Sequence, residues 1–542
     1  MTDHSIDPPD RLPVTVASLF ERSYDEYAHR PAVIDPAGPT TTYGELGQQV
    51  HRFISGLRGL GLQPGDRVLI LLGNVPAFFL VDHALFVGGF VRSALSVRLH
   101  VREVAYIAED CGARAIVTDP GWGARIAAQR DRFASVDHLL VTGPGIDGSA
   151  QGHGVDRAVT VADVAAGETT HPPTSLPSPY DPAAILYTSG TTGAPKGAVL
   201  SHANWVAMIR NSMADLPPVH TSDVLLHVAP LSHLSGYVAP VYVARGAAHL
   251  PLPTFEPAEA LEVIGRYGIT ATALVPTMLN LLLLEAEQHP ADTSSLHTIL
   301  YGASPIAPDR LARAIRVFGP VFVQFYGLSE TPMPLTVLSQ RDHMFDLDGP
   351  PPERLRSAGR PSPFVELRLV DLDGNEVASG EAGEIQVRGD TVMLGYWGKP
   401  DQTREMIAAD GWASTGDVGT IDGEGYVTIV DRKKDMIVTG GYNVYPNEIE
   451  NVVSTLGPVQ EVAVVGVPDV RWGEALKAVV VVRPGFELTE DEVITACADN
   501  LAGYKKPRSV EFVTELPKTG SGKIMRRALR DRYWENEERR IG

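Results

Sequence analysis

Short apolar runs alternate with amphipathic stretches through most of this chain, and that alternation limits the fold more than any other feature. Val68-Leu69-Ile70-Leu71-Leu72 is apolar throughout, as a strand covered on both faces is. Ala77 to Phe86 then carries a helical pattern, and Ala115-Ile116-Val117-Thr118 and His138-Leu139-Leu140-Val141-Thr142 read as further strands. Strand and helix in turn predict an α/β fold on a mostly parallel sheet with helices over its faces. A length of 542 residues exceeds one ordinary core, so two or more domains are expected. His171 to Asp181, rich in Pro and Ser, reads as a linker or surface loop between two subdomains.

From Gly359 the pattern changes. Val365 to Val370, Gly383 to Arg388 and Gly425 to Val430 are short strand-like runs separated by Asp373-Gly374 and Asp422-Gly423 turns. Such runs predict short antiparallel strands, a small barrel-like subdomain. The charged run Asp431-Arg432-Lys433-Lys434-Asp435 follows, and beyond it lies a mixed segment of about 110 residues suited to a small α+β domain.

Tyr187-Thr188-Ser189-Gly190-Thr191-Thr192-Gly193-Ala194-Pro195-Lys196-Gly197 follows the apolar Ala183-Ala184-Ile185-Leu186. Backbone N–H groups, small hydroxyls and one ammonium, with little bulk, suit a polyphosphate. The common P-loop is excluded, because Gly190 and Gly193 stand too close together and Gly197 takes the place of the hydroxyl that should follow Lys196.

Other segments carry reactive groups in small-residue settings. Gln324-Phe325-Tyr326-Gly327-Leu328-Ser329-Glu330-Thr331 joins an aromatic ring, a turn, a carboxylate and a hydroxyl, and Gly302-Ala303-Ser304-Pro305 precedes it. Ser414-Thr415-Gly416-Asp417 sets one carboxylate on a tight turn. His233 sits in Pro230-Leu231-Ser232-His233-Leu234-Ser235-Gly236, Gly440-Gly441 opens the last segment, and Lys523 ends Pro517-Lys518-Thr519-Gly520-Ser521-Gly522-Lys523.

Together these segments, from Thr42-Tyr43-Gly44-Glu45-Leu46 to Lys523, make the chain resemble the adenylate-forming enzymes: acyl-CoA synthetases, aryl-CoA ligases, firefly luciferase and the adenylation domains of peptide synthetases. The resemblance implies a large N-terminal AMP-binding domain, 1–430, and a small mobile C-terminal domain, 431–542, with a hinge near Asp431. It implies an ATP site formed by Thr188 to Gly193 with Lys196, by Gly302, Ala303 and Ser304 along the adenine, and by Tyr326 and Gly327. Glu330 is implied as the Mg²⁺ ligand, and Thr331 as a bond to the α-phosphate. Asp417 and Arg432 are assigned to the ribose, where a carboxylate can accept both O–H donors. Gly440 and Gly441 are assigned to the pantetheine arm of CoA. His233 is placed beside the acid and the thiol tunnel, as a gate and not a general base. Lys523 is the expected catalytic lysine of adenylation, between two anions whose repulsion it lowers; Lys518 is expected to be peripheral.

The implied activity is an acid:CoA ligase that forms an acyl-AMP and passes the acyl group to CoA. The acid pocket is expected from His233, Tyr237, Thr277, Met278, Tyr301, Phe325 and Met333, which suit a fatty or aromatic acid. The alternatives are an enzyme that loads a carrier protein, and one that activates an unusual oxyanion for an amine without CoA. A nucleotide-binding regulator that never turns over is the reading from another class.

A formal net charge of −20 argues against nucleic-acid binding. It also requires local cations for ATP and CoA, which the tail supplies in Lys505, Lys506, Arg508, Lys518, Lys523, Arg526 and Arg527. Cys111 and Cys497 fit no metal pattern and read as buried apolar residues. No apolar run approaches the roughly 20 residues of a membrane span, and Leu281 to Leu284, followed by Glu285, reads as a helix end. With no secretory pattern visible, a cytoplasmic protein is expected, with a homodimer left open.

Overall fold

The runs expected as strands form. In the computed structural model they span Arg67–Leu71, Ala115–Thr118 and His138–Val141, and the helix expected from Ala77 spans Pro76–Gly88. The structure describes residues 14–143, 159–166, 171–188, 195–439, 442–469, 471–518 and 524–534. The chain divides into two compact units, Met1–Glu366 with Val387–Ala413, and Leu367–Gln386 with Ser414–Gly542.

The first unit holds an eight-stranded and a nine-stranded sheet. In the eight-stranded sheet, Val91–Ala94, Arg67–Leu71, Ala115–Thr118, His138–Val141 and Val159–Thr160 run parallel. Beyond Val91–Ala94 come Pro182–Thr188, Lys196–Ser201 and Gly395–Tyr396, the last two antiparallel to their neighbours. In the nine-stranded sheet, Pro31–Val33, Ala248–Pro251, Val224–His227, Ala271–Leu274, Thr298–Gly302 and Phe322–Tyr326 are parallel in that order.

One apolar core joins side chains of both sheets, among them Val68, Ile70, Leu225, Ala271, Leu300 and Val323, with the intervening helices. That explains why Pro76–Gly88 buries Phe78, Phe79, Val81, Leu85 and Phe86 around its whole circumference. Thr42 and Glu45 close a reciprocal capping box at the start of helix Tyr43–Gly59: the Glu45 N–H donates to Thr42 Oγ1, and Glu45 Oε2 accepts from the Thr42 N–H. Leu281 to Leu284 lie inside helix Pro276–Gln288, with Leu282 and Leu283 buried and Leu281 and Leu284 exposed.

His171 to Asp181 is not a boundary between subdomains. It leads into Pro182–Thr188, which pairs with Val91–Ala94 inside the same sheet that Val159–Thr160 edges, so it is a surface connection of one sheet. The antiparallel strands expected after Gly359 form a four-stranded path, Glu366–Val370, Gly383–Arg388, Ala413–Ile421 and Val427–Arg432. Among the described residues this path is an open sheet. In the second unit a further sheet carries the long pair Val459–Asp469 and Gly473–Val482, packed with helices Pro446–Ser454 and Glu490–Asn500. Cys111 and Cys497 are buried free thiols in separate units. Among the described residues no helix is long and apolar enough to cross a membrane.

Candidate active site

Strands Pro182–Thr188 and Lys196–Ser201 form a hairpin in which Thr188 stands opposite Lys196 and Tyr187 opposite Gly197. Residues 189–194 between them, including Ser189, Gly190, Thr191, Thr192 and Gly193, lie outside the described residues. Thr188 Oγ1 donates to Glu330 Oε1 at 3.3 Å, and the Tyr396 hydroxyl donates to the same oxygen at 2.9 Å. Burial, then the Glu330 carboxylate, raises the Tyr396 pKa, so its proton stays in that bond. The Lys196 ammonium lies 5.1 Å from the centre of the Tyr396 ring, a cation–π distance. One hydroxyl, one carboxylate and one ammonium from two sheets are thus held around a single aromatic side chain.

Glu330 reaches this place because Thr298–Gly302 and Phe322–Tyr326 end side by side, with Gly302 opposite Phe325. Ligands of open α/β sheets collect at the carboxyl ends of the strands, and both motifs are there. A Cβ on Gly302 would stand 2.4 Å from the Phe325 carbonyl oxygen, and one on Gly327 would stand 2.5 Å from the Met333 nitrogen, so both close approaches require glycine. Ala303 takes a left-handed φ of 67°, which costs about 1 kcal/mol, and its side chain and that of Ser304 are exposed. Tyr326 is buried at the strand end. Thr331 is fully buried, and its Oγ1 has no hydrogen-bond partner among the described residues. A buried unpaired hydroxyl costs about 1–3 kcal/mol, and a phosphate oxygen would satisfy it.

The pair expected at the ribose sits in the second unit. Asp417 and Arg432 face each other across neighbouring strands, with Arg432 Nε 2.6 Å from the buried Asp417 carboxylate. Next to Arg432, Asp431 is buried, and desolvation pushes its carboxyl up to about 6 although the Asn447 and Arg432 N–H groups donate to it. Asn447 is the second residue of helix Pro446–Ser454, so Asp431 caps that helix from the strand.

His233 precedes helix Leu234–Val243 and exchanges a hydrogen bond with Ser232 Oγ through Nδ1 at 2.8 Å. It keeps an exposed surface, while the protein crowded around the ring lowers its pKa and favours neutral imidazole. Its loop is pinned by buried Asn74, whose Nδ2 donates to the His227 and Ala229 carbonyls while Oδ1 accepts from the Leu231 N–H. Tyr301 is no pocket wall: its ring is fully buried and its hydroxyl bonds His343 Nε2 at 2.9 Å.

Lys523, Gly440 and Gly441 lie outside the described residues. Lys518 Nζ is held by Glu461 Oε1 at 2.5 Å. Lys505 pairs with Glu448, Arg526 with Glu450, and Arg508 stacks on Trp472. Carboxylates of the same unit thus pair with Lys505, Lys518 and Arg526. Sequence reasoning missed Tyr396, Asn74, Asp110 and Lys399. Only Tyr396 and Lys399 carry a local signal, an aromatic and a lysine among Gly395, Gly398 and Pro400; nothing beside Asp110 or Asn74 marks them.

A family model described as AMP-binding enzyme matches residues 20–397, and one described as AMP-binding enzyme C-terminal domain matches residues 448–523. The chain belongs to this family of adenylate-forming enzymes. It is 38% identical over 511 residues to a medium/long-chain-fatty-acid–CoA ligase of Mycobacterium tuberculosis, covering 92% of this chain and 87% of the relative. It is 37% identical over 498 residues to a feruloyl-CoA synthase of an Amycolatopsis species, covering 92% of this chain and 94% of the relative. Among solved structures it resembles the amide bond synthetase McbA from Marinactinospora thermotolerans, with a TM-score of 0.82 and 30% identity over 96% of this chain and all of that one.

Proposed function

We propose that this chain is an AMP-forming acid:CoA ligase acting on a fatty or aromatic carboxylic acid. The meeting of Thr188, Lys196 and Glu330 around Tyr396 carries the reading, and the relatives named for fatty acids and ferulate support its substrate class.

A carboxylate oxygen attacks the α-phosphorus of ATP, the bond to the β-phosphate oxygen breaks, and pyrophosphate leaves. The CoA sulfur then attacks the acyl carbonyl of the acyl-AMP, the bond to the phosphate oxygen breaks with AMP leaving, and the thiol proton passes to solvent. Thr188 and Lys196 hold the β- and γ-phosphates, the buried Thr331 hydroxyl donates to the α-phosphate, and Tyr326 covers the adenine. Asp417 takes the ribose hydroxyls with Arg432 beside it. Lys523 lies between the incoming carboxylate and the α-phosphate during adenylation, and His233 guards the acid. The Gly440–Gly441 segment admits the pantetheine arm. Asp431 is the hinge between the two half-reactions.

Mg²⁺ fits the donor set. Glu330 is a hard oxygen donor held by two hydroxyls, and among the described residues no group of three His, Cys, Asp or Glu could cage a metal alone. A shared site on one carboxylate and phosphate oxygens is the usual arrangement for this ion. When bound, it neutralises phosphate charge; the residues named above do the binding and orienting.

A panel of carboxylic acids assayed for pyrophosphate release, with and without CoA, tests the reading. Release only with fatty or aromatic acids, and thioester only with CoA, is the expected result. Release without thioester would instead favour the second reading, transfer to an amine, for which the likeness to an amide bond synthetase is the specific support. No release with any acid would overturn both.

A further inference from the structure

Asp110 lies in the last turn of helix Val101–Cys111, far in sequence from every motif of the nucleotide site. Its carboxylate gathers donors from separate elements. The Tyr187 hydroxyl donates to Oδ2 at 2.6 Å and the Lys399 ammonium to Oδ1 at 2.7 Å. The Tyr106 hydroxyl lies 3.4 Å from Oδ1 and 3.2 Å from the Pro195 carbonyl oxygen. Tyr187 immediately precedes Thr188, and Pro195 immediately precedes Lys196. One carboxylate therefore holds the first leg directly, and the Tyr106 hydroxyl, whose single proton serves either that carboxylate or the Pro195 carbonyl, stands beside the second. Lys399 ties the arrangement to the strand that carries Tyr396, and the next residue, Trp397, donates its N–H to the Gly197 carbonyl at 2.8 Å.

We infer that Asp110 and Lys399 form a positioning clamp at the base of the phosphate-binding hairpin, setting the spacing of Thr188 and Lys196 and with it the affinity for a triphosphate. The inference rests on the reading of that hairpin as the phosphate site. Neither residue need touch the nucleotide. The pair is largely shielded, with side chains 14% and 23% exposed, so removing one partner leaves the other charge poorly solvated. Losing Lys399 leaves a lone carboxylate beside a hairpin proposed to hold anions. Losing the Asp110 charge leaves the ammonium without its counter-ion and one acceptor oxygen where Lys399 and Tyr187 used two. Burial keeps the Tyr187 proton in place, so this hydroxyl can anchor its leg only by donating.

A clamp that acts on the hairpin should affect the β- and γ-phosphates and spare the AMP portion of the ligand. Calorimetric binding of Mg-ATP and of AMP, each without an acid, to the full chain and to Asp110→Asn, Lys399→Met and Tyr187→Phe tests this. The Kd for Mg-ATP should rise about 10-fold in the first two variants and about 3-fold in the third, with the Kd for AMP within about 2-fold of wild type. Equal weakening of both ligands would mean general loosening and would overturn the clamp, as would unchanged ATP binding. Should Asp110→Asn or Lys399→Met fail to fold, Tyr187→Phe, which loses one oxygen, carries the same comparison. Failure of the unaltered chain to bind Mg-ATP would overturn the phosphate-site reading itself, a result distinct from failure of the clamp alone.

Discussion

Glu330 accepts two hydroxyl protons at one oxygen, and its chemistry depends on keeping its charge there. Glu330→Gln keeps the shape and removes the charge, and an amide is a poor ligand for a hard cation. Turnover should fall about 100-fold or more, and the magnesium titration should shift to higher concentration. A near-normal titration with near-normal turnover would place the metal elsewhere. On the role proposed for Lys523 in the first step alone, Lys523→Ala should abolish adenylation yet leave conversion of supplied acyl-AMP and CoA to thioester intact. ATP–pyrophosphate exchange and thioester formation on one preparation check this, and equal loss of both in a folded variant would remove Lys523 from its assigned role.

At the scale of elements, the strand Val427–Arg432 and the helix Pro446–Ser454 are joined by the Asp431 carboxylate and by Asn447, whose side chain in turn bonds the Val430 carbonyl and Arg526. The backbone at Asp431 and its carboxylate therefore have separable jobs. Asp431→Pro locks φ and deletes both the N–H and the carboxylate, while Asp431→Ala deletes the carboxylate alone. Asp431→Ala should affect the two half-reactions alike, and Asp431→Pro should form acyl-AMP at about the Asp431→Ala rate while thioester formation collapses. Normal rates of both steps in Asp431→Pro would move the hinge to another residue.

Among the described residues, several histidines are buried in the neutral form. His83 and His249 have folded-state pKa values lowered to about 3, and His202 and His343 to about 4, with desolvation as the first cause in each. His202 has no hydrogen-bond partner at either ring nitrogen among the described residues, and none is made at His249 Nε2. The unfolded chain, titrating near 6.5, binds more protons than the native one in this window, so stability present above 6.5 is lost as pH falls toward 3–4. At pH 5 a ring with a pKa near 3 contributes roughly 2 kcal/mol of that loss. Asp431, raised to about 6, and Asp82 and Asp215, also raised by burial, work in the opposite sense, because stability lost as pH rises through their folded-state values is regained on acidification; among the described residues the lowered imidazoles outnumber these raised carboxyls, six to three. The urea midpoint should therefore fall steadily from pH 7.5 to pH 5. A midpoint flat across that range would show the rings to be solvated or paired with charge.

The amino-acid sequence by itself determined what depends on near neighbours along the chain. Ala115–Thr118 and Gly383–Arg388 match their expected bounds to the residue, because a strand buried on both faces or alternating in burial writes its period into consecutive residues. The family was legible for the same reason: a phosphate hairpin and a carboxylate turn need small residues at fixed spacings, and these stand next to one another in sequence. Tertiary structure alone decided which of these segments meet. Thr188 ends a strand of one sheet and Glu330 sits in the loop that follows a strand of the other, and Tyr396 reaches both Glu330 and Lys196 only because its strand pairs with Lys196–Ser201. His171 to Asp181 shows the limit from the other side, since its composition is that of a linker and only strand pairing reveals that it stays within one sheet. Asp110 and Asn74 carry no local mark at all, because a residue that acts by where its partner lies has no period or motif to betray it.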